Sequence, residues 1–290
     1  MAMTAQTETD RGGRPEDAGR RPATGARGRW RSGRRYVLLV LTLRVASLVA
    51  VLAAWQVLVA VGLLSGKLFS DPVAVLRRVW ETAAGAPTYG EVTIYSHLWH
   101  TVQAIAAGYA IGASAGVLAG YALGRSALLG GLFRPYVTAF VAIPKIALVP
   151  LLVLIFGIGM ESKIANVVLL VFIMVLFNTF SGVLQVKREW VNLARVMGAR
   201  RAEIAARIVL PAAMPSIMVG LRTGVSFAMI GAITAEFIAS NEGLGWLIHQ
   251  ATAAYDPTGL FAGIVYLVVL TWGMGQLVHL LEKRTLRWMR

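Results

Sequence analysis

Few side chains in this chain are equipped for chemistry. Glu236 lies among alanine, isoleucine and phenylalanine late in a long apolar stretch, and Lys145 follows Pro144 inside another. An ionisable group set in hydrocarbon is a functional candidate by default, because its burial must be answered by a partner or by a water-filled path. Glu236, Lys145 and Pro144 are therefore candidates for lining a translocation path. Glu236 has the alternative of reaching an interface, and Lys145 that of anchoring at the inner surface. His97 and His100 are spaced for one helical face, but no HExxH pattern accompanies them, so a helix end at an interface is the better reading than a metal site. The chain has no cysteine, which removes disulfides and thiolate chemistry. Neither HExxH nor paired intramembrane aspartates are present, which argues against an intramembrane enzyme. A Gly-x4-Gly-Lys-Ser/Thr loop is also missing, so the chain itself should bind no nucleotide.

These residues must be held by a membrane scaffold. Of 290 residues, 57% are apolar and 14% charged, against about 25% charged in soluble domains. The net charge of +14 does not point to nucleic acid, because residues 11–35 hold nine arginines and most other cations fall in short loops. That distribution fits control of topology. Residues 1–35 lack apolar periodicity and are expected to form a disordered, Arg-rich cytoplasmic tail. Residues 36–290 form one all-α membrane domain.

A helix needs about 20 apolar residues to cross the bilayer. Six segments qualify, approximately 42–64, 98–123, 135–158, 164–186, 213–239 and 259–281. One side collects the N-terminal arginines, Arg125, Arg134, the 187–207 cluster and the C-terminal cations. The other mixes Lys67, Arg77, Arg78 and Lys163 with Asp71, Glu81, Glu91, Glu161, Glu242 and Asp256. The positive-inside rule then puts both termini and the 187–211 loop in the cytoplasm. Pro135, Pro144 and Pro150 predict a kinked or locally unwound third span. Ser70-Asp71-Pro72 predicts the start of a short helix on the outer surface, with Val73, Leu76, Val79 and Trp80 on one face. The loop from Asn241 to Ile248 is expected to dip back against the bundle. Gly108, Gly112, Gly116, Gly120 and Gly124 form a bare stripe, for packing inside one subunit or, as the lesser alternative, for a dimer contact.

The 187–211 loop is too charged to remain in hydrocarbon. Gly198 permits a reversal between two short helices. From Ala199 to Leu210 the pattern is helical, with Ile204 and Ile208 on one side and Arg200, Glu203 and Arg207 on the other, spaced for mutual salt bridges. Pro211 is expected to stop this stub and open the next span. The expectation is an amphipathic cytoplasmic helix lying parallel to the membrane.

Gly198, Ile208, Leu210 and Pro211 match the Gly-x9-Ile-x-Leu-Pro core of the EAA loop of binding-protein-dependent ABC importer permeases. The name-giving Glu-Ala-Ala positions are Asn192-Leu193-Ala194, where only Ala194 agrees. Ile143 to Pro150, Phe156 to Gly159, Leu210 to Pro215, Gly220-Leu221-Arg222, Ala235-Glu236 and Gly243-Leu244-Gly245 resemble the nitrate/sulfonate/taurine (bicarbonate) branch of that family. The resemblance implies a homodimer of permease subunits, two cytoplasmic ATPase subunits carrying ATP and Mg, and an extracytoplasmic solute-binding protein that delivers a small anionic solute. It implies that Ala194, Gly198, Arg200, Arg201, Glu203, Ile204, Arg207, Ile208, Leu210 and Pro211 form the ATPase-coupling loop. The rival reading is a secondary transporter driven by an ion gradient, which would require more buried ionisable residues and an inverted repeat.

Overall fold

The computed structural model describes residues 29–63 and 68–285. The expected disordered tail falls outside these residues up to position 28; residues 29–35 instead belong to helix α1, Arg29–Ala60, which contains the apolar stretch Leu39–Ala60. Residues up to Ala54 form one unit and those from Trp55 onward another.

The second unit is helical throughout its main elements. Helix α2 spans Pro72–Ala83, and a short 3-10 turn, Tyr89–Glu91, leads into α3, Ile94–Gly124. Helix α4, Ala127–Ala142, returns and breaks; a 3-10 turn, Lys145–Leu148, then joins it to α5, Val149–Phe156. Helix α6 covers Met160–Leu184, α7 Arg188–Val196, α8 Arg201–Ile204 and α9 Leu210–Ile238. Helix α10, Leu244–Ala253, and α11, Pro257–Thr285, complete the chain. Five helices are long and apolar enough to cross a membrane, and the α4–α5 pair, bent by 86°, makes a sixth span when counted as one. The third span is thus both kinked and locally unwound at Pro144, as expected, and its helix starts at Ala127, not near 135. Arg134 consequently lies inside α4 rather than in a loop.

The centre is built from α3, α6 and α9. The glycine stripe of α3 lies on α6: a Cβ at Gly112 would come within 2.8 Å of the Val168 carbonyl, one at Gly116 within 2.9 Å of Val175 Cβ, and one at Gly124 within 2.7 Å of Val183 Cβ. Both numberings rise together along this seam, so α3 and α6 run parallel, and α4–α5 carries the chain back between them. Lipid offers no hydrophobic driving force, so van der Waals closeness of this kind has to hold the helices together. Helix α9 runs antiparallel to α6, with Gly182 against Ser216 at one end and Gly231 against Val167 at the other. Ile105, Ala113, Val171, Val175, Ala228 and Ala232 fill the space between the three.

Helix α2 starts as its sequence requires: Asp71 Oδ1 accepts from the Val73 N–H at 3.0 Å, with Pro72 in the first turn. It is fixed to α11 by Ser70 Oγ and Thr258 Oγ1 at 2.7 Å and by Tyr266 OH, which donates to the Val79 carbonyl at 2.8 Å. The stretch expected to dip against the bundle is a helix in its own right, α10, with Leu244, Leu247 and Ala251 buried.

Candidate functional site

At the end of the bundle where α6 finishes and α9 begins, the 187–211 loop is a defined device. Helix α7 ends in a double backbone closure: the Gly198 N–H bonds the Arg195 carbonyl at 3.1 Å and the Ala199 N–H bonds the Ala194 carbonyl at 3.0 Å. This pattern needs a left-handed residue after the helix, and Gly198 supplies it at φ 84°. The chain then re-enters helix at Arg200, whose N–H is accepted by Glu203 Oε2 at 2.9 Å. That capping bond replaces the expected salt bridges; among the described residues Arg200, Glu203 and Arg207 form no ion pair with one another.

The expected stub over Ala199–Leu210 is not a separate helix. Helix α8, a π-turn over Ala205–Val209 and α9 run without interruption from Arg201 to Ile238, 38 residues. Pro211 does not stop the helix. In a regular helix its ring would meet the carbonyl four residues back and its missing N–H would leave that carbonyl unpaired. A π-turn precedes it here, in which the Leu210 N–H reaches five residues back to the Ala205 carbonyl. Tyr121 OH also donates to the Ala205 carbonyl at 2.8 Å, fastening the turn to α3.

The amphipathic stub is α7 instead. Ala194 and Ile204 are buried, Val196 is 87% exposed, and Trp190, Leu193 and Met197 are exposed on the side of α7 that faces the start of α9. Lys187 Nζ lies 5.8 Å from the centre of the Trp190 ring. A groove of about 610 Å³ separates α7 from the start of α9, lined by Trp190, Leu193, Met197, Ile208, Pro211 and Pro215 with Arg207 at its edge. Arg200 and Arg201 are exposed beside the turn, and Leu210 packs inward near Val183 and Ile217. Asn192, which stands at the first name-giving position, accepts from Arg195 Nη1 at 3.3 Å.

The opposite end holds a polar knot. Glu236 is 1% exposed. Its Oε1 accepts from Thr101 Oγ1 at 2.8 Å and its Oε2 from the Gly245 N–H at 2.7 Å. Thr101 Oγ1 in turn accepts from the Leu244 N–H at 2.9 Å, and His97 Nδ1 accepts from the Gly243 N–H at 3.2 Å. His97 Nε2 therefore carries the proton and donates to Thr88 Oγ1 at 3.0 Å, while the ring stacks on Trp246. Lys163 Nζ donates to the Glu242 carbonyl at 2.8 Å, and His100 meets the Glu242 carboxylate at 2.6 Å. The first-turn N–H groups of α10, which have no partner within their own helix, are thus met by side chains of α3 and α9. A Cβ on Gly243 would overlap the Glu236 carboxylate, and one on Gly245 would come within 2.7 Å of Glu236 Cβ.

Residues 112–287 match the family described as the inner membrane component of binding-protein-dependent transport systems. The chain belongs to this family. The permease is 30% identical over 238 residues to a putative aliphatic sulfonates transport permease of Bacillus subtilis, covering 82% of this chain and 84% of that one. It is 30% identical over 267 residues to the riboflavin transport system permease of Chloroflexus aurantiacus, covering 92% and 97%. A solved inward-facing MetNI methionine ABC transporter aligns with a TM-score of 0.51 at 22% identity, covering 77% of this chain and 100% of that one, which supports the fold. The permease is a multi-pass inner-membrane transport component and not an enzyme, and hydrolysis of ATP belongs to a separate subunit.

The structure separates the candidate path residues of the permease. Glu236 is enclosed and bonded within the subunit, so it neither reaches an interface nor opens onto a surface. Lys145 lies beyond the far end of α4 from the Arg125 turn. Sixteen residues of helix separate the two, about 24 Å at 1.5 Å per residue, which excludes anchoring at the Gly198 end. Pro144 ends the helix, and Lys145 Nζ donates to two carbonyls released there, Val141 at 2.7 Å and Ile143 at 3.3 Å. Thr101 was not singled out from sequence as a partner of Glu236, nor were His97 and Lys163 as holding the loop before α10. Pro144 and the Gly-Leu-Gly segment marked the backbone features, but no spacing rule joins Thr101 to Glu236.

Proposed function

We propose that two copies of this permease enclose a path for a small anionic solute, and that each copy is driven through α7 by a cytoplasmic ATPase subunit carrying ATP and Mg. The observation that carries this reading is the exposed apolar groove of Trp190, Leu193 and Met197 against Ile208, Pro211 and Pro215, on a short helix closed at Gly198. Exposed apolar side chains on a charged loop suit a contact with a protein partner. Cations dominate that end of the bundle, which supports a cytoplasmic placement of the loop and of both termini. The named cargo of the aliphatic sulfonate relative supports a small organic anion, and the family's description supports its delivery by a solute-binding protein. Pro144 and Lys145 belong to the path in this reading, because a broken backbone at membrane depth must face protein or water rather than lipid.

The test is reconstitution. Permease, ATPase and binding protein in vesicles take up ethanesulfonate or taurine only with ATP, and Leu193→Asp abolishes both uptake and co-purification of the ATPase. Uptake without the ATPase, driven by an ion gradient, overturns the reading in favour of a secondary transporter.

A further inference from the structure

Helix α2 is tethered to two spans and leaves one side uncovered. Pro72, Val75 and Thr82 are buried, and Thr82 Oγ1 lies 2.8 Å from Tyr266 OH of α11. Arg78 Nη2 donates to Asp256 Oδ2, just before α11, at 3.3 Å. Tyr95, in the first turn of α3, donates from its hydroxyl to the Ala83 carbonyl at 2.6 Å. Helix α2 therefore lies where α3 and α11 both begin, at the end of the bundle away from the Gly198 turn. On its other side Val73, Leu76 and Trp80, three and four residues apart, are exposed, Trp80 by 77%. Tyr95 and Trp99, one turn apart on α3, are exposed as well. Further along α3 the exposed Ala106, Ala110 and Leu118 continue this side, opposite the glycine stripe. Helix α3 is long and apolar enough to cross the bilayer, so the side it turns from the bundle adjoins lipid.

We propose that α2 is an interfacial anchor, whose Val73, Leu76 and Trp80 side is seated, together with Tyr95 and Trp99, in the phospholipid headgroup layer of the leaflet at the Glu236 end. Crowded apolar side chains are poorly placed in water. Tryptophan and tyrosine collect where hydrocarbon gives way to headgroups, because an apolar ring and a polar tip are both satisfied there. A short amphipathic helix binds such a layer through the apolar area it buries and the attraction of its cations to phosphate. Arg77, beside Leu76, supplies the cation: its side chain is 75% exposed and its Nε stands 3.9 Å from Glu81 Oε1, a loose pairing that leaves the guanidinium free to reach a lipid phosphate. The bonds from α2 to Tyr95, Tyr266 and Asp256 pass this seat on to the ends of α3 and α11, which it holds at one depth. The inference needs only that the chain crosses a bilayer, and it adds a lipid-binding surface outside the spans.

The chain contains no cysteine, so single cysteines report without background. Val73→Cys, Leu76→Cys and, on the polar flank of α2, Glu81→Cys are each labelled with a nitroxide. The permease, purified with its associated subunits, is placed in vesicles of phosphatidylethanolamine and phosphatidylglycerol. Collision rates are measured with oxygen, which concentrates in lipid, and with a neutral nickel chelate, which stays in water. The oxygen-to-nickel ratio at positions 73 and 76 is expected to exceed that at position 81 by at least about tenfold, equivalent to about 1.4 kcal/mol of partitioning. Equal ratios at positions 76 and 81 overturn the proposal. Low collision rates with both reagents at position 76 overturn it too, as does a fall in both on adding the solute-binding protein, since either places protein on that side of α2. A second arm needs no label. Phospholipids brominated near the headgroup quench tryptophan emission, and Trp80→Phe is expected to reduce the quenched part. A quenched part unchanged by Trp80→Phe overturns the proposal.

Discussion

Glu236 and Thr101, 135 residues apart in sequence, are joined by a 2.8 Å hydrogen bond. The same hydroxyl accepts the Leu244 amide, so one threonine ties α3 to both α9 and the start of α10. Glu236→Ala leaves the Gly245 amide without an acceptor inside the protein and frees the Thr101 hydroxyl. A buried donor without an acceptor costs about 1–3 kcal/mol. Thermal melts of the purified permease should fall, with abundance and transport declining together. Glu236→Gln keeps one acceptor oxygen and should lie between wild type and alanine. Transport lost with an unchanged melt would assign Glu236 to the path instead.

Gly198 holds the α7 turn at φ 84°. Gly198→Val forces a β-branched residue into the left-handed region, at about 1–3 kcal/mol of local strain. The variant should insert normally yet co-purify at least tenfold less ATPase, whereas Gly198→Asn should retain most of it, since asparagine tolerates that conformation. Undiminished ATPase recovery with valine would show that α7 does not need this turn.

A side chain at Gly112 has no space, because even its Cβ would fall 2.8 Å from the Val168 carbonyl. Gly112→Leu should destabilise by at least about 1–3 kcal/mol, the usual cost of overpacking. Gly131, where a Cβ meets nothing within 4 Å, is the matched control. Equal melting temperatures for Gly112→Leu and Gly131→Leu would refute close α3–α6 contact.

Asp256 gives a pH dependence. Burial raises its carboxyl, but the Tyr89 hydroxyl, the Gly259 amide and the Arg78 guanidinium outweigh this and hold it below the usual carboxylate range. Tyr89 is pushed up to about 12 by burial and by its bond to Asp256. The depressed carboxyl contributes stability that is present above about pH 3.9 and lost as pH falls through the lower folded value. The raised phenol contributes stability present below about pH 10 and lost as pH rises through about 12. Asp256→Asn should therefore lower the melting temperature at neutral pH, with the gap from wild type closing in strong acid. A gap of constant size from pH 7 to pH 2 would remove Asp256 from this role.

Sequence periodicity captured what depends on neighbours along the chain. The α2 start at Asp71-Pro72, the break at Pro144 and the reversal at Gly198 are each local backbone requirements. Two features hidden from the sequence share a cause. Pro211 looked like a stop because its effect was judged against a regular α-helix, whereas a π-turn precedes it and the helix runs on through it to Ile238. The enclosure of Glu236 was not legible because its partners, Thr101 and the Gly245 amide, reach it only through tertiary packing.

The unbroken helix from Arg201 to Ile238 has a mechanical consequence. At 1.5 Å per residue, 38 residues make a rod about 57 Å long. One tip follows the Gly198 turn and the other carries Glu236, clamped to α10. A pivot of about 5° near the first tip displaces the second by about 5 Å, which exceeds the reach of any hydrogen bond in the knot. Swinging this rod must therefore either drag α10 along with it or unfasten Gly245 from Glu236, and the one wide turn at Ala205–Val209 is where such a swing meets least resistance.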